Sequence, residues 1–223
     1  MARFRTDKDQ LILDCCRGKK VLDVGCVNHT LEATLRDDWK HAKIKTAARE
    51  LIGLDYEAEV VGELNKRGWN ILVGDAQNFD ITKDHPGGFD VIVASDVIEH
   101  LVNPGGFLVC CRKHLAPGGV LIITTPHAYG LTFFLEVLVT GEEHINDDHT
   151  MTFSRKNLLH LLDRCGLRAR QFIWLSQDST CLQKGLAAKI AAKTLFILQC
   201  IGGFLQVGLS KEMIVLAEDK GAT

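Results

Sequence analysis

Short apolar runs that end in a small or acidic residue recur along this chain and alternate with helical patterns. That alternation limits the fold more than any other feature. The runs are "KVLDVG" (20–25), "ELIGLD" (50–55), "WNILVGD" (69–75), "FDVIVASD" (89–96) and "GVLIITTP" (119–126). Helical patterns lie at 56–67 and at 104–115, where Asn103 is placed to cap and Pro104 fits the first helical position. "APGG" (116–119) is expected to stop that helix and turn into the next strand. Runs that are apolar throughout must be buried on both faces, and helices between them imply a parallel, doubly wound sheet of the α/β class. Further on, "SRKNLLHLLDRCG" (154–166) has a Ser cap, leucines at helical spacing and a closing Gly. Two final strands are expected at 167–176 and 210–219.

Between those last strands lies an apolar helical insert, 181–209. Its stretch from Thr194 to Leu209 carries no charge but is only 16 residues long and contains Gly202 and Gly203. A spanning helix needs about 20 apolar residues, so a transmembrane segment is rejected. The insert reads instead as a helix packed over the sheet or against a second subunit, as in a homodimer, or as a lid with peripheral lipid contact. No repeat, low-complexity tract or linker marks a second domain, so residues 1–223 read as one. Net charge is −2, which gives no basic field for nucleic acid. No positively charged leader precedes an apolar run, and the 8 cysteines show no zinc spacing. Buried free thiols in a reducing cytoplasm are expected.

In order and spacing, "VLDVGC", "LIGLD", "NILVGDAQNFD", "FDVIVASDVIEHL", "HLAPGGVLIITTP" and "DHTMTFSRKNLLHLL" resemble the class I S-adenosylmethionine-dependent methyltransferases. The resemblance is to the small-molecule group with an E-H-L element after strand four, and covers roughly residues 18 to 175. It implies a seven-stranded, Rossmann-like sheet with helices on both faces, S-adenosyl-L-methionine as cofactor, and a small-molecule acceptor. Ligands in such sheets sit beyond the carboxyl ends of the strands, where strand order reverses. The implied cofactor contacts are Asp23, Gly25 and Cys26 at the first turn, Asp55 and Tyr56 after strand two, Asp75 and Ala76 after strand three, and Ser95 after strand four. Asp55 is placed to accept both ribose hydroxyls, and Asp75 with the Ala76 N–H to meet the adenine. Either acid also suits a helix cap or a turn. The family's usual G-x-G-x-G is here Gly25-Cys26-Val27-Asn28-His29, so the turn must be reshaped or stand off from the ligand. The cofactor has no pyrophosphate, which makes the missing glycines tolerable; the same loss argues against NAD.

Methyl transfer from a sulfonium needs the protein mainly to align a nucleophile and manage one proton. If "SDVIEHL" (95–101) begins a helix at Ser95 or Asp96, then Asp96, Glu99 and His100 share one face at i, i+3 and i+4. His100 is the expected base, with Glu99 orienting it, although both would equally brace the loop by hydrogen bonds. "NDDHTMTFS" (146–154) resembles the segment that returns a His to the site in related enzymes, which points to His149. The catalytic candidates are therefore His100, Glu99 and His149. In ubiquinone-pathway and small-RNA methyltransferases, an acid-x-x-Glu-His element with a distant His binds a divalent metal. Asp96, Glu99, His100 and His149 match that pattern, with Asp for the usual first Glu. Many relatives with E-H-L bind none, so a metal is the alternative rather than the expectation. His127 and His144 read as loop residues, and 127–152, with Tyr129, Phe133 and Phe134, as the wall of the acceptor pocket. The expected activity is methylation of a hydroxyl oxygen. N-methylation of an amine and a non-catalytic binding protein are the competing readings.

Overall fold

The computed structural model describes residues 3–5, 7–142, 145–175, 193, 194, 197 and 210–221. The apolar insert 181–209, apart from three of its residues, and His144 lie outside the described residues. In chain order the elements are β1 (Arg3–Arg5), α1 (Lys8–Cys16), β2 (Lys20–Val24), α2 (Leu31–Thr34), α3 (Lys40–Ala47), β3 (Glu50–Asp55), α4 (Ala58–Lys66) and β4 (Ile71–Val73). There follow β5 (Phe89–Ser95), α5 (Pro104–His114), β6 (Leu115–Pro126), α6 (Leu131–Thr140), α7 (Arg155–Arg164), β7 (Leu167–Leu175) and β8 (Glu212–Asp219). One sheet runs in the order β1-β7-β8-β6-β5-β2-β3-β4. Only β8 is antiparallel to its neighbours, β6 and β7. The seven expected strands are all present, and β1 adds a short parallel edge beside β7. Among the described residues no helix is long and apolar enough to cross a membrane.

The unbroken apolarity of the strands follows from their double burial, because successive side chains point to opposite faces. Leu22, Val24, Ile92, Ala94, Leu121 and Ile123 face Phe107, Leu108 and Cys111 of α5 and Leu158 and Leu162 of α7. The intervening Val21, Val91, Val93 and Ile122 face Leu11, Ile12 and Cys16 of α1 and Ile44 of α3. Cys16, Cys26 and Cys111 are free thiols buried in the core. Local signals set the helix starts. The Asn103 side chain accepts from the Gly106 N–H at 2.9 Å, and Ser154 from the Asn157 N–H at 3.2 Å.

"APGG" behaves differently from its reading as a turn between helix and strand. α5 stops at His114 and β6 starts at the next residue. Leu115 pairs with Phe89 and regular pairing resumes at Val120 with Val91, so the glycines form an irregularity inside the strand. A side chain at Gly119 would come within 2.7 Å of the Phe89 carbonyl oxygen, which is why the backbone can bulge there only with glycine.

The strand order reverses between β2 and β5, and their carboxyl ends open a crevice at Gly25 and Ser95.

Candidate active site

The crevice is a cleft of about 920 Å³ whose walls include Asp23, Gly25, Cys26, Asp55, Tyr56 and Asp75. Ala76, Ser95, Asp96 and His100 also line it, so all eight expected cofactor residues meet in one space. Gly25 has φ +69°, and a Cβ there would lie 2.5 Å from a Val97 methyl. That glycine is therefore required. His29 adopts φ +50°, keeping a left-handed turn without the glycine that would hold it most cheaply. Val27, instead of pushing the loop aside, packs on the cluster of Cys26, Trp39, Val61, Leu64 and Ile71. Two bonds pin the reshaped turn. The Val27 N–H donates to Asp55 Oδ2 at 2.8 Å, and the Trp39 indole N–H donates to the Cys26 carbonyl at 2.6 Å.

Asp55 is 4% exposed, and its other oxygen accepts from the Glu57 N–H at 3.1 Å. Burial raises its carboxyl pKa, opposed by those backbone N–H groups. Asp75 is exposed and folds into a local turn, accepting from the Gln77 N–H at 2.8 Å. Asp23, 3% exposed, is bonded at 2.8 Å to Nδ1 of the buried His41. Trp39 caps α3 and is followed by Lys40 and His41 of that helix, so one helix start sends Trp39 and Lys40 to the crevice wall and His41 to Asp23 behind it. Nothing in the sequence gives the "DWKH" stretch (38–41) a role. The signal there is an aromatic, a cation and an imidazole in succession at the start of a largely polar helix.

The helix expected from Ser95 does not form. Asp96 has φ +57°, and a single 3-10 turn, Ile98–His100, follows. The left-handed step swings Asp96 away from Glu99 and His100. Its carboxylate meets the Lys8 ammonium at 2.8 Å and accepts from the Thr124 hydroxyl at 2.8 Å. Asp96 therefore stands outside the four-residue set matched to a metal. Glu99, His100 and His149 do converge, with potential ligand atoms all within 4.8 Å of one another. Residue 149 is brought back by backbone stitching: the Thr150 N–H donates to the Glu99 carbonyl at 2.9 Å, and its hydroxyl to the Leu101 carbonyl at 2.8 Å. The His100 and His149 rings stand edge to face, 4.6 Å apart. His100 Nδ1 lies 3.1 Å from the Asp148 carbonyl oxygen. A carbonyl only accepts, so Nδ1 carries the proton and Nε2 keeps a free lone pair.

Glu99 is 1% exposed, and its carboxylate oxygens make no hydrogen bond of ordinary geometry, although the Thr125 hydroxyl faces them. Burial, with the Asp96 charge second, pushes its pKa up to about 7. A raised carboxyl pKa means the folded state binds a proton that the unfolded state has already lost. Stability is thus lost as pH rises from the ordinary value of 4.5 to about 7. Glu99→Gln is expected to be near neutral for stability at pH 4.5 and stabilising by roughly 3 kcal/mol above pH 7. Urea unfolding at pH 4.5 and pH 8 checks this; a gain independent of pH would show that Glu99 carries no such penalty.

A second cavity, about 720 Å³, adjoins the first and is lined by His127, Tyr129, Phe133, Phe134, Ile145 and His149 among others. His100 belongs to one space and His149 to the other, so their rings stand at the junction. His127 differs from the loop residue expected. It is 3% exposed, bridges to Phe153 just beyond β6, and packs its ring 4.8 Å from Trp174.

A family model described as a methyltransferase domain matches residues 2–171. A probable S-adenosylmethionine-dependent methyltransferase of Mycolicibacterium smegmatis is 28% identical over 151 residues, covering 68% of this chain and 52% of that protein. A ubiquinone biosynthesis O-methyltransferase of Caulobacter sp. (strain K31) is 32% identical over 116 residues, covering 48% of this chain and 41% of that protein. The chain thus spans about half the length of the curated relatives it matches. A crystal structure of a SAM dependent methyltransferase from Archaeoglobus fulgidus shares the fold, with a TM-score of 0.60, 16% identity and 95% of each chain covered.

Proposed function

Because the chain belongs to the methyltransferase-domain family of S-adenosylmethionine-dependent enzymes, we propose that it methylates a hydroxyl oxygen on a small, largely apolar acceptor. One observation carries the proposal. A histidine with a free Nε2 stands where a polar, carboxylate-lined cleft meets an aromatic one. The cofactor, when bound, supplies a methyl carbon made electrophilic by the adjacent sulfonium.

In this reading Asp55 accepts the ribose hydroxyls, and Asp75 with the Ala76 N–H meets the adenine. Gly25, Cys26 and Ser95 leave room for the remainder, Tyr56 covers one side, and Asp23 faces the amino group. The acceptor lies against Tyr129, Phe133 and Phe134, which bury its apolar part and exclude water. His100 Nε2 takes the hydroxyl proton as the oxygen forms its bond to the methyl carbon and the carbon–sulfur bond breaks. Glu99 and His149 hold the His100 ring and its developing charge. The relatives named ubiquinone biosynthesis O-methyltransferases support oxygen over nitrogen as the atom methylated.

A second reading is favoured by one specific feature, the buried Glu99 carboxylate, whose oxygens make no hydrogen bond of ordinary geometry, beside two imidazoles. That donor set fits a divalent cation such as Mg²⁺, Mn²⁺ or Zn²⁺, held by Glu99, His100 and His149. Bound there, the cation would lower the pKa of an acceptor hydroxyl. The protein should be offered S-adenosylmethionine with a panel of apolar diphenols, and the products weighed by mass spectrometry. A methyl ether is expected, with a rate unchanged within about twofold after chelation if His100 acts as base. A loss of about tenfold or more, restored by one of the three ions, would favour the metal reading. Methylation of amines alone would overturn the oxygen assignment.

A further inference from the structure

The carboxylates of Asp23, Asp55, Asp75, Asp96 and Asp148 ring the cofactor cleft. Such a surface suits the two positive centres of S-adenosylmethionine, its sulfonium and its ammonium. It repels the one negative group, the carboxylate of the methionine end. Among the described residues lining the cleft, Lys40 is the one lysine or arginine.

The local geometry leaves Lys40 with donors to spare. Its ammonium donates to the Ser95 hydroxyl. Asp96 Oδ2 stands 3.8 Å from it, beyond hydrogen-bonding range. That same oxygen is claimed at 2.8 Å by Lys8, which also pairs with Glu212 at 3.1 Å. Lys8 therefore answers the Asp96 charge, and two of the three N–H donors of Lys40 are uncommitted. The side chain is only 26% exposed, on a lysine that α3 holds against the carboxyl end of β5. Burial pulls its ammonium below the usual lysine value, with the Asp96 charge opposing. A half-buried cation whose neighbouring carboxylate, Asp96, is held more closely by Lys8 has donors left for a further anion.

We propose that Lys40 is the anchor for the cofactor's carboxylate, pairing with it beside Ser95 at the carboxyl end of β5. The neighbouring Asp23, steadied by His41, then takes the ammonium from the other side. Lys40 thus meets one charge of the amino-acid end directly, and the next residue of its helix, His41, steadies the β2 carboxylate that meets the other. This rests on the cofactor occupying the cleft as described above.

Calorimetry with S-adenosylmethionine and its decarboxylated analogue tests the anchor, because the two ligands differ only in that carboxylate. Wild type is expected to prefer the carboxylated ligand by about tenfold or more. Lys40→Met should reduce that preference to about twofold or less while holding affinity for the analogue within about twofold. Lys40→Arg should retain part of the preference, since the charge is kept. Retained binding of the analogue also reports that each variant is folded. Equal weakening of both ligands by Lys40→Met would assign Lys40 a structural role through Ser95 and overturn the anchor. So would an unchanged preference, or none in wild type; in those cases analogue binding leaves the cleft assignment standing. Failure of wild type to bind either ligand would overturn the cleft and the anchor together.

Discussion

Asp55→Ala is expected to weaken S-adenosylhomocysteine binding by about 100-fold or more, because two charge-assisted hydrogen bonds to ribose hydroxyls are lost at about 1.5–3 kcal/mol each. The variant has a second consequence. Asp55 Oδ2 also accepts from the Val27 N–H, and the turn at 25–29 has only one glycine of its own to hold its shape. Loosening that turn adds to the loss rather than offsetting it. Asp75→Ala is the natural comparison, since Asp75 is exposed and already engaged with Gln77. It should cost less than about tenfold, because water replaces an exposed hydrogen bond at small net loss. Calorimetry on both variants, with circular dichroism to verify folding, separates the two acids. A folded Asp55→Ala protein that binds within about fivefold of wild type would remove the ribose assignment.

His100→Ala is expected to lower turnover by about 100-fold or more at saturating acceptor, the usual contribution of a positioned general base. The best diphenol from the product screen serves as acceptor. S-adenosylhomocysteine affinity should hold within about threefold, because the loss belongs to the proton transfer rather than to the cofactor. Turnover within about threefold of wild type would show that no base is needed at this position, as expected for an amine acceptor. Backbone carbonyls and the Thr150 hydroxyl help place the imidazole for its role. The Asp148 carbonyl fixes the proton on Nδ1, and the bonds from Thr150 to the Glu99 and Leu101 carbonyls hold the two segments together.

Legibility of the fold varied with the range of the interactions involved. Apolar runs such as "FDVIVASD" read as buried strands because double burial leaves no polar face to interrupt them. Asn103 and Ser154 announced α5 and α7 because a cap is a contact three residues long. Strand β1 was not legible: three residues, "RFR", become a strand only because β7 offers a free edge. Within the candidate site, Asp55, Asp75 and Glu99 were legible as candidates from their positions at or near strand ends. Lys8, Trp39, Lys40 and His41 were passed over, since nothing local says where their side chains go. The expected helix at Ser95 failed for the same reason. Charge pairing with Lys8 and a hydroxyl from Thr124 pull Asp96 out of line, and both partners are remote in sequence.

By itself the sequence determined the seven main strands, the helices α4, α5 and α7, and nearly where each of those strands ends, because periodicity and caps act over a few neighbours. Tertiary structure alone decided that Asp96 turns to Lys8, that His149 meets His100, and that Lys40 lies beside Ser95. These pairings join segments some 50 to 90 residues apart, set by the sheet's strand order and by charges that must find partners when water is excluded.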